Sequence, residues 1–472
     1  MYNIKSHKAD QFIDEGEILE TLRYAKENCR NRPLIESIID KAALCEGLTH
    51  REAALLLECS EADLVQRIYA LAERIKERFY GNRIVMFAPL YLSNYCVNGC
   101  VYCPYHFKNK HIARRKLTQE QIRAEAVALQ DMGHKRLALE AGEDPVHSPI
   151  EYILESIKTI YEVKHKNGAI RRVNVNIAAT SVEEYRMLKE AKIGTYILFQ
   201  ETYHRANYEA LHPTGPKSNY AYHTEAMDRA MEAGVDDVGL GVLFGLNTYR
   251  YDFVGLMMHT EHLEARFGVG AHTISMPRIC AADHIDTADF PDAISDDVFC
   301  KLVAVTRIAV PYTGIIISTR ESQSTREKVL RLGVSQLSGG SNTNVGGYAS
   351  LDAAAEESAQ FELSDRRTLD EIVSWLVDLG HIPSFCTACY REGRTGDRFM
   401  SLVKSGQIAN CCTPNALMTF KEYLEDYASQ ECRTKGMKLI LEGMQLVKNP
   451  KTREIAERNL VEIEKGKRDF RF

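Results

Sequence analysis

The 472-residue sequence has no apolar run long enough to span a bilayer and no excess of positive charge. Its net charge of −6 leaves no electrostatic footprint for nucleic acid or an anionic membrane, both of which attract basic chains. The first residues, Met1-Tyr2-Asn3-Ile4-Lys5, do not read as a signal peptide, so a cytosolic protein is expected. Cysteine is sparse: 13 in so long a chain cannot build a disulfide scaffold. In a reducing compartment, clustered thiols point instead to metal. There is no internal repeat beyond a βα unit and no low-complexity linker. What remains is 45% hydrophobic and spread along the chain, enough for one large barrel or two to three ordinary domains.

Residues 1–82 read as a helical N-terminal extension. Thr49 and Glu52 form a capping box, and Leu64, Ile68, Leu71 and Ile75 recur at helical spacing. Cys29, Cys45 and Cys59 are scattered here and read as small buried hydrophobes. From Arg83 onward, short β-rich runs alternate with helical patterns. The expected strands are Ile84–Pro89, Arg136–Glu140, Val173–Ile177, Gly194–Phe199, Asp237–Val242, Thr273–Pro277, Gly314–Ser318 and Val334–Leu337. Thr118 with Gln121, Ser148-Pro149 with Glu151, and Ser181 with Glu184 mark helix starts between them. Eight repeats predict a complete (β/α)8 barrel over residues 83–350. The rhythm stops after Ala353. Residues 351–472 read as a mainly helical C-terminal domain, with a helix over Ile372–Leu379 capped by Thr368 and Glu371 and a charged, frayed tail.

Barrel chemistry gathers on loops after the strands. The first such loop reads Cys96-Val97-Asn98-Gly99-Cys100-Val101-Tyr102-Cys103, three thiols in eight residues. Three thiolates on one loop can hold three corners of a cubane iron–sulfur cluster and leave one iron open. A zinc site completed by His106 is the competing reading. Polar residues also follow the second strand (Glu140 to Pro145), the fourth (Gln200 to Arg205), the seventh (Ser318 to Ser322) and the eighth (Ser338 to Ser341), which together look like a lined active site.

A Cys-x3-Cys-x2-Cys loop with an aromatic before its last cysteine, leaving the first strand of a barrel, resembles the radical S-adenosylmethionine (SAM) superfamily. The resemblance implies a 4Fe-4S cluster on Cys96, Cys100 and Cys103 whose open iron is chelated by SAM. Reductive cleavage of SAM then yields a 5′-deoxyadenosyl radical. It further implies that Tyr102 touches the adenine and that Ala141-Gly142-Glu143 receives the methionine amino group, with Ala141 standing where the family has glycine. Glu201 and Arg205 are expected at the ribose or the methionine carboxylate.

Four stretches resemble the aromatic amino-acid lyases of that superfamily: Gln200 to Tyr203, Ser275 to Arg278, Ile317 to Ser322 and Ser341 to Tyr348. Arg320 is the candidate to capture the substrate carboxylate by a bidentate fork, and Arg278 is a second candidate. A salt bridge from Arg320 to Glu321 or another acid is the competing reading. Cys386-x2-Cys389 with Cys412 forms a second three-thiolate set. That set resembles the tyrosine lyases that mature iron-only (FeFe) hydrogenases, and is not expected in the tyrosine lyase of thiazole biosynthesis. The family spacing selects Cys412 over Cys411.

The implied reaction breaks the Cα–Cβ bond of L-tyrosine. p-Cresol leaves, and dehydroglycine is converted to carbon monoxide and cyanide. An extra, labile iron on the auxiliary cluster collects both as a cysteine-bound synthon. His272, entering the sixth strand at its N-terminal end, is the expected ligand of that iron. A hydrogen-bonded histidine at a strand start is the alternative. The implied partners are L-tyrosine, a reductant such as ferredoxin and other hydrogenase maturases, with no nucleic acid and no membrane.

Overall fold

The structure, a computed structural model, describes residues 1–349 and 358–472. Eight parallel strands close into a barrel: β1 (Arg83–Ser93), β2 (Arg136–Ala141), β3 (Arg172–Asn176), β4 (Tyr196–Glu201), β5 (Val238–Val242), β6 (Thr273–Ser275), β7 (Gly314–Ile317) and β8 (Gln336–Ser338). Closure comes from Gln336–Ser338 pairing with Val85–Phe87 of β1. Each expected strand is present. The largest departure is β1, which runs on to Ser93 because its end pairs with β2 through Tyr91 and Glu140 and through Ser93 and Ala141. The start of β1 buries every second residue and its end buries all, as a strand entering a closed barrel must.

A ninth strand, β9 (Ile382–Ser384), pairs in parallel with Arg83–Val85 at the base of β1. It leads directly to Cys386. β1 therefore carries one cysteine loop at its top and borders the other at its foot.

The reciprocal capping boxes of Thr49 with Glu52, Thr118 with Gln121, Ser181 with Glu184 and Thr368 with Glu371 all form. The expected Ser148 cap does not. Asp144 takes over that turn, accepting from the Val146 and His147 amides at 2.8 Å each, and the helix starts at Ile150 after Pro149.

N-terminal helices, including His50–Glu58 and Ala62–Tyr80, pack across the barrel helices Tyr249–Phe267 and Asp296–Ala309. Cys45 and Cys59 are buried as expected; Cys29 is only half-buried, at a helix end. The C-terminal helices Leu369–Asp378, Ala409–Asp426, Gln430–Gln445 and Pro450–Glu464 stack on one another and on β9. The expected boundary at residues 350 and 351, and Ala353, lie outside the described residues. The tail is not frayed. Arg468 pairs with Asp426, Arg391 holds Asp469 at 2.7 and 2.8 Å, and Arg394 donates to the Phe472 carbonyl. These bonds pin residues 468–472 against the segment that follows Cys386. Among the described residues no helix is long and apolar enough to cross a membrane.

Candidate active site and a second cysteine cavity

The loops after the strands line a cavity of about 240 Å³ that receives Cys96, Cys100 and Cys103 from the first loop. Burial pushes the Cys103 thiol up to about 12, and the neighbouring Cys96 adds to the shift. Cys100 is raised for the same reasons, against the pull of Lys217. Thiols so buried and so close to each other ionise only beside compensating positive charge, which iron supplies. Among the described residues no three His, Cys, Asp or Glu side chains converge as they would on a single ion. Three thiols spread around one cavity suit the corners of a cluster better than a zinc site, and His106 does not line it.

Asn98 organises this loop. Its Nδ2 donates to Glu143 at 2.6 Å, its Oδ1 accepts from the Lys217 amide at 3.0 Å, and Val97 N donates to the Glu143 carbonyl at 2.8 Å. Gly142 is required where it stands: a Cβ there would lie 2.3 Å from the Tyr95 carbonyl oxygen. The position before it is Ala141, which also lines the cavity. Tyr102 is buried at the wall, its hydroxyl 2.7 Å from His212 Nε2. Glu201 closes β4 at a register shift with φ of 69°, and its carboxylate pairs with Lys217 Nζ at 2.7 Å.

Two expected residues are elsewhere. Arg205 starts the helix Arg205–Leu211 with a largely exposed side chain, pairs with Glu209 at 3.0 Å and does not line the cavity. The strand ends at Glu201, so four more residues carry Arg205 over the rim. Arg278 is a structural residue: Glu321 at 3.1 Å, Asp296 at 2.9 Å and the Ile294 carbonyl occupy its guanidinium. That pairing frees Arg320. Among the described residues no carboxylate lies within ion-pair distance of Arg320, whose guanidinium sits 3.6 Å over the Phe361 ring and faces the cavity.

Three further residues of the site are Glu140 and Asn98, which lie within stretches the sequence marks without being singled out there, and Lys217, which lies in none. Glu140 lines the same cavity; burial raises its carboxyl to about 8, against the pull of Arg320 and a bond to Asn176. Its one signal is a carboxylate closing the apolar run Leu137-Ala138-Leu139. Lys217 comes from the Thr214-Gly215-Pro216 turn, far in sequence from any strand end. Gly215, at φ +92°, lets that turn fold onto Asn98: a Cβ there would meet Asn98 Oδ1 at 2.3 Å.

A second cavity, about 100 Å³, opens at the other end of the barrel. Cys386, Cys389, Cys412 and His272 all line it, with Arg136, Tyr390 and Asp237; Cys411 does not. His272 is placed by backbone bonds at the start of β6, its amide donating to the Val238 carbonyl and its carbonyl accepting from Gly314. Its Nε2 is 3.4 Å from the Tyr390 hydroxyl, while Nδ1 has no hydrogen-bond partner among the described residues, although Asp237 lies 3.4 Å away. Burial holds the imidazole pKa below its usual value, so the ring is neutral, the form that binds metal. The Cys412 side chain and Arg394 hold the Cys389 thiol below its usual value, while Cys389 and burial hold Cys412 well above it. A low-lying thiolate and a neutral imidazole on one buried wall are suited to iron.

A radical SAM superfamily model matches residues 90–256, and one for the biotin and thiamin synthesis associated domain matches residues 275–382. The 2-iminoacetate synthase of Escherichia coli (strain K12) is 28% identical over 348 residues, 73% of this chain and 89% of its own. The crystal structure of HydG, a maturase of the [FeFe]-hydrogenase, is 54% identical, with 98% of this chain and all of that one covered and a TM-score of 0.95. HydG from Carboxydothermus hydrogenoformans is 39% identical, covers 96% of this chain and 100% of its own, and gives a TM-score of 0.82.

Proposed function

This chain belongs to the HydG family of [FeFe]-hydrogenase maturases, a family of radical SAM enzymes, and from that premise we propose that it cleaves the Cα–Cβ bond of L-tyrosine. The products are p-cresol and dehydroglycine. Dehydroglycine becomes carbon monoxide and cyanide, which are collected on an auxiliary iron as an Fe(CO)(CN) cysteine synthon. The observation that carries this reading is the pair of cysteine cavities at opposite ends of one barrel. A lyase that only released dehydroglycine has no use for the second.

Cys96, Cys100 and Cys103 would hold the SAM-binding 4Fe-4S cluster, and Tyr102, Ala141, Gly142, Glu143 and Glu201 would receive SAM. Cluster and SAM together supply a 5′-deoxyadenosyl radical, the hydrogen-abstracting agent. Arg320, with no carboxylate within ion-pair distance among the described residues, takes the tyrosine carboxylate in a bidentate fork. Glu140 faces the substrate ammonium from the same wall. The apolar flank of Phe87, Pro89, Ile197 and Phe361 keeps water from the reacting end. Cys386, Cys389, Cys412 and His272 hold the auxiliary cluster and its labile iron. The division into 1–82, 83–350 and 351–472 follows the same roles: support, tyrosine cleavage and synthon assembly. We place the reaction in the cytoplasm, fed by a reductant of the ferredoxin type, with other maturases as recipients.

Reconstituted protein given SAM, tyrosine and reductant tests the reading. 5′-Deoxyadenosine, p-cresol, carbon monoxide and cyanide are expected. p-Cresol without either diatomic product would reduce the chain to a dehydroglycine supplier like a 2-iminoacetate synthase. No 5′-deoxyadenosine at all would make it a cluster carrier.

A further inference from the structure

An acidic chain would be expected to spread its cations thinly, yet the ten residues Phe107-Lys108-Asn109-Lys110-His111-Ile112-Ala113-Arg114-Arg115-Lys116 hold five Lys or Arg and no acid. This segment begins four residues after Cys103. Arg114 turns inward and clamps it, donating to the carbonyls of Asn94, Tyr105, His106 and Asn109 at 2.6 to 3.1 Å. The lysines remain outside. Lys108, Lys110 and Lys116 are exposed, and none has a carboxylate partner within ion-pair distance among the described residues. Among the described residues Lys110 Nζ is bonded only to the Phe107 carbonyl, and Lys116 sits 4.2 Å over the Tyr152 ring where the segment bridges back to Ser93 of β1. The acid close by, Asp283, accepts from Asn109 at 2.9 Å.

Two apolar side chains are exposed at or just before the start of this segment, and Lys108 Nζ is 5.9 Å from the ring centroid of one of them, Phe107. Val101, between Cys100 and Cys103, is 45% exposed, and Phe107 is 37% exposed. Phe107 lies directly on the cysteine loop: its amide donates to the Asn98 carbonyl at 3.0 Å, and a Cβ at Gly99 would be 3.5 Å from its ring. This patch is thus the outer skin of the loop that carries the three thiols.

We propose that Val101, Phe107, Lys108, Lys110 and Lys116 form the docking surface for a small acidic electron-carrier protein that reduces the first cluster. The inference rests on the radical SAM reading of that site, which needs one electron for each SAM cleaved. In the step one electron leaves the reduced carrier and enters the cluster, with no bond made or broken and no proton moved. Apolar contact at the centre fixes orientation over the shortest route inward, while the unpaired lysines steer an acidic partner and exclude basic ones. The local positive field would act only at short range, since salt screens exposed charges beyond about 10 Å.

The test uses the reconstituted full chain and a reduced acidic [4Fe–4S] ferredoxin, with dithionite as the small-molecule control. The variant Lys108→Glu/Lys110→Glu/Lys116→Glu should weaken the ferredoxin Kd at least tenfold and slow ferredoxin-driven 5′-deoxyadenosine formation equally. Dithionite-driven formation should stay within twofold, and raising salt should weaken ferredoxin binding to the parent protein more than to the variant. An unchanged Kd overturns the proposal. Should charge reversal impair the dithionite reaction too, the milder Lys108→Gln/Lys110→Gln/Lys116→Gln variant decides: ferredoxin binding equal to the parent's overturns the surface, and a selective loss supports it. A parent protein that cleaves no SAM with dithionite would mark failure of the cluster reading itself, a separate outcome.

Discussion

Gly142→Ala should cripple SAM cleavage without touching a thiol. The added methyl carbon would stand 2.3 Å from the Tyr95 carbonyl oxygen, where ordinary contact begins at 3.4 Å, so about 1.1 Å must be found (3.4 − 2.3). The obstacle is backbone, which no rotamer change relieves. The nearest side-chain atom, Cys96 Cβ at 3.2 Å, belongs to the first cysteine of the loop, a proposed cluster ligand. Retreat of Tyr95 therefore drags Cys96 with it, while retreat of residue 142 moves Glu143 off Asn98. A misplacement of about 1 Å at a reacting centre costs on the order of 10²-fold in rate. Overpacking of this size costs about 1–3 kcal/mol in stability, too little to unfold a domain. The assay is 5′-deoxyadenosine formation with dithionite, beside an iron count and a thermal melt. A folded Gly142→Ala protein that makes 5′-deoxyadenosine within twofold of the parent rate would refute the close-approach argument.

Cys386→Ala and Cys412→Ala should leave p-cresol formation largely intact and abolish the iron carbonyl signal in the infrared; equal loss of both would end the two-site division. His272→Ala should lose the paramagnetic resonance of the labile iron while SAM cleavage persists. Arg320→Ala removes charged hydrogen bonds worth about 1.5–3 kcal/mol, roughly a 10- to 150-fold fall in kcat/KM for tyrosine. Arg278→Ala should instead lower stability by roughly 3–5 kcal/mol, read in denaturant unfolding, by leaving the buried Glu321 carboxylate unpaired. Glu140 is neutral below about 8 and anionic above it, and only the anion pairs with an ammonium. kcat/KM for tyrosine should therefore rise with pH through about 8, and Glu140→Gln should flatten that step.

The barrel is legible in the sequence because its strands are buried on both faces and read as apolar runs between well-capped helices. The two cysteine sets are legible because thiols recurring at short spacing stand out in a chain otherwise sparse in cysteine, and each set lines one cavity. His272 can be placed at the foot of a strand from sequence alone, and it lines the same cavity as Cys386, Cys389 and Cys412. Arg278 and Arg320 cannot be told apart in one dimension: each is an arginine just past a strand end, and only the folded chain shows that Glu321 belongs to Arg278. Arg205 misleads because a polar run after a strand does not reveal where the chain turns outward. Lys217 is hidden for the opposite reason, since its turn is remote in sequence and meets Asn98 only in three dimensions.

β1 also acts as a ruler. From Val85, which pairs with Ser384 just before the lower cysteines, to Ser93, just before the upper ones, there are eight residue steps, roughly 26 Å at strand rise. A strand hydrogen-bonded in turn to β9, β8 and β2 along its length does not stretch. On the proposed two-site reading the chambers stand at a fixed separation, without the swinging arms or closing domains by which other multi-site enzymes hand over intermediates. Whatever passes between them must be small enough to travel alone, and slow enough to react on the way that it arrives unchanged.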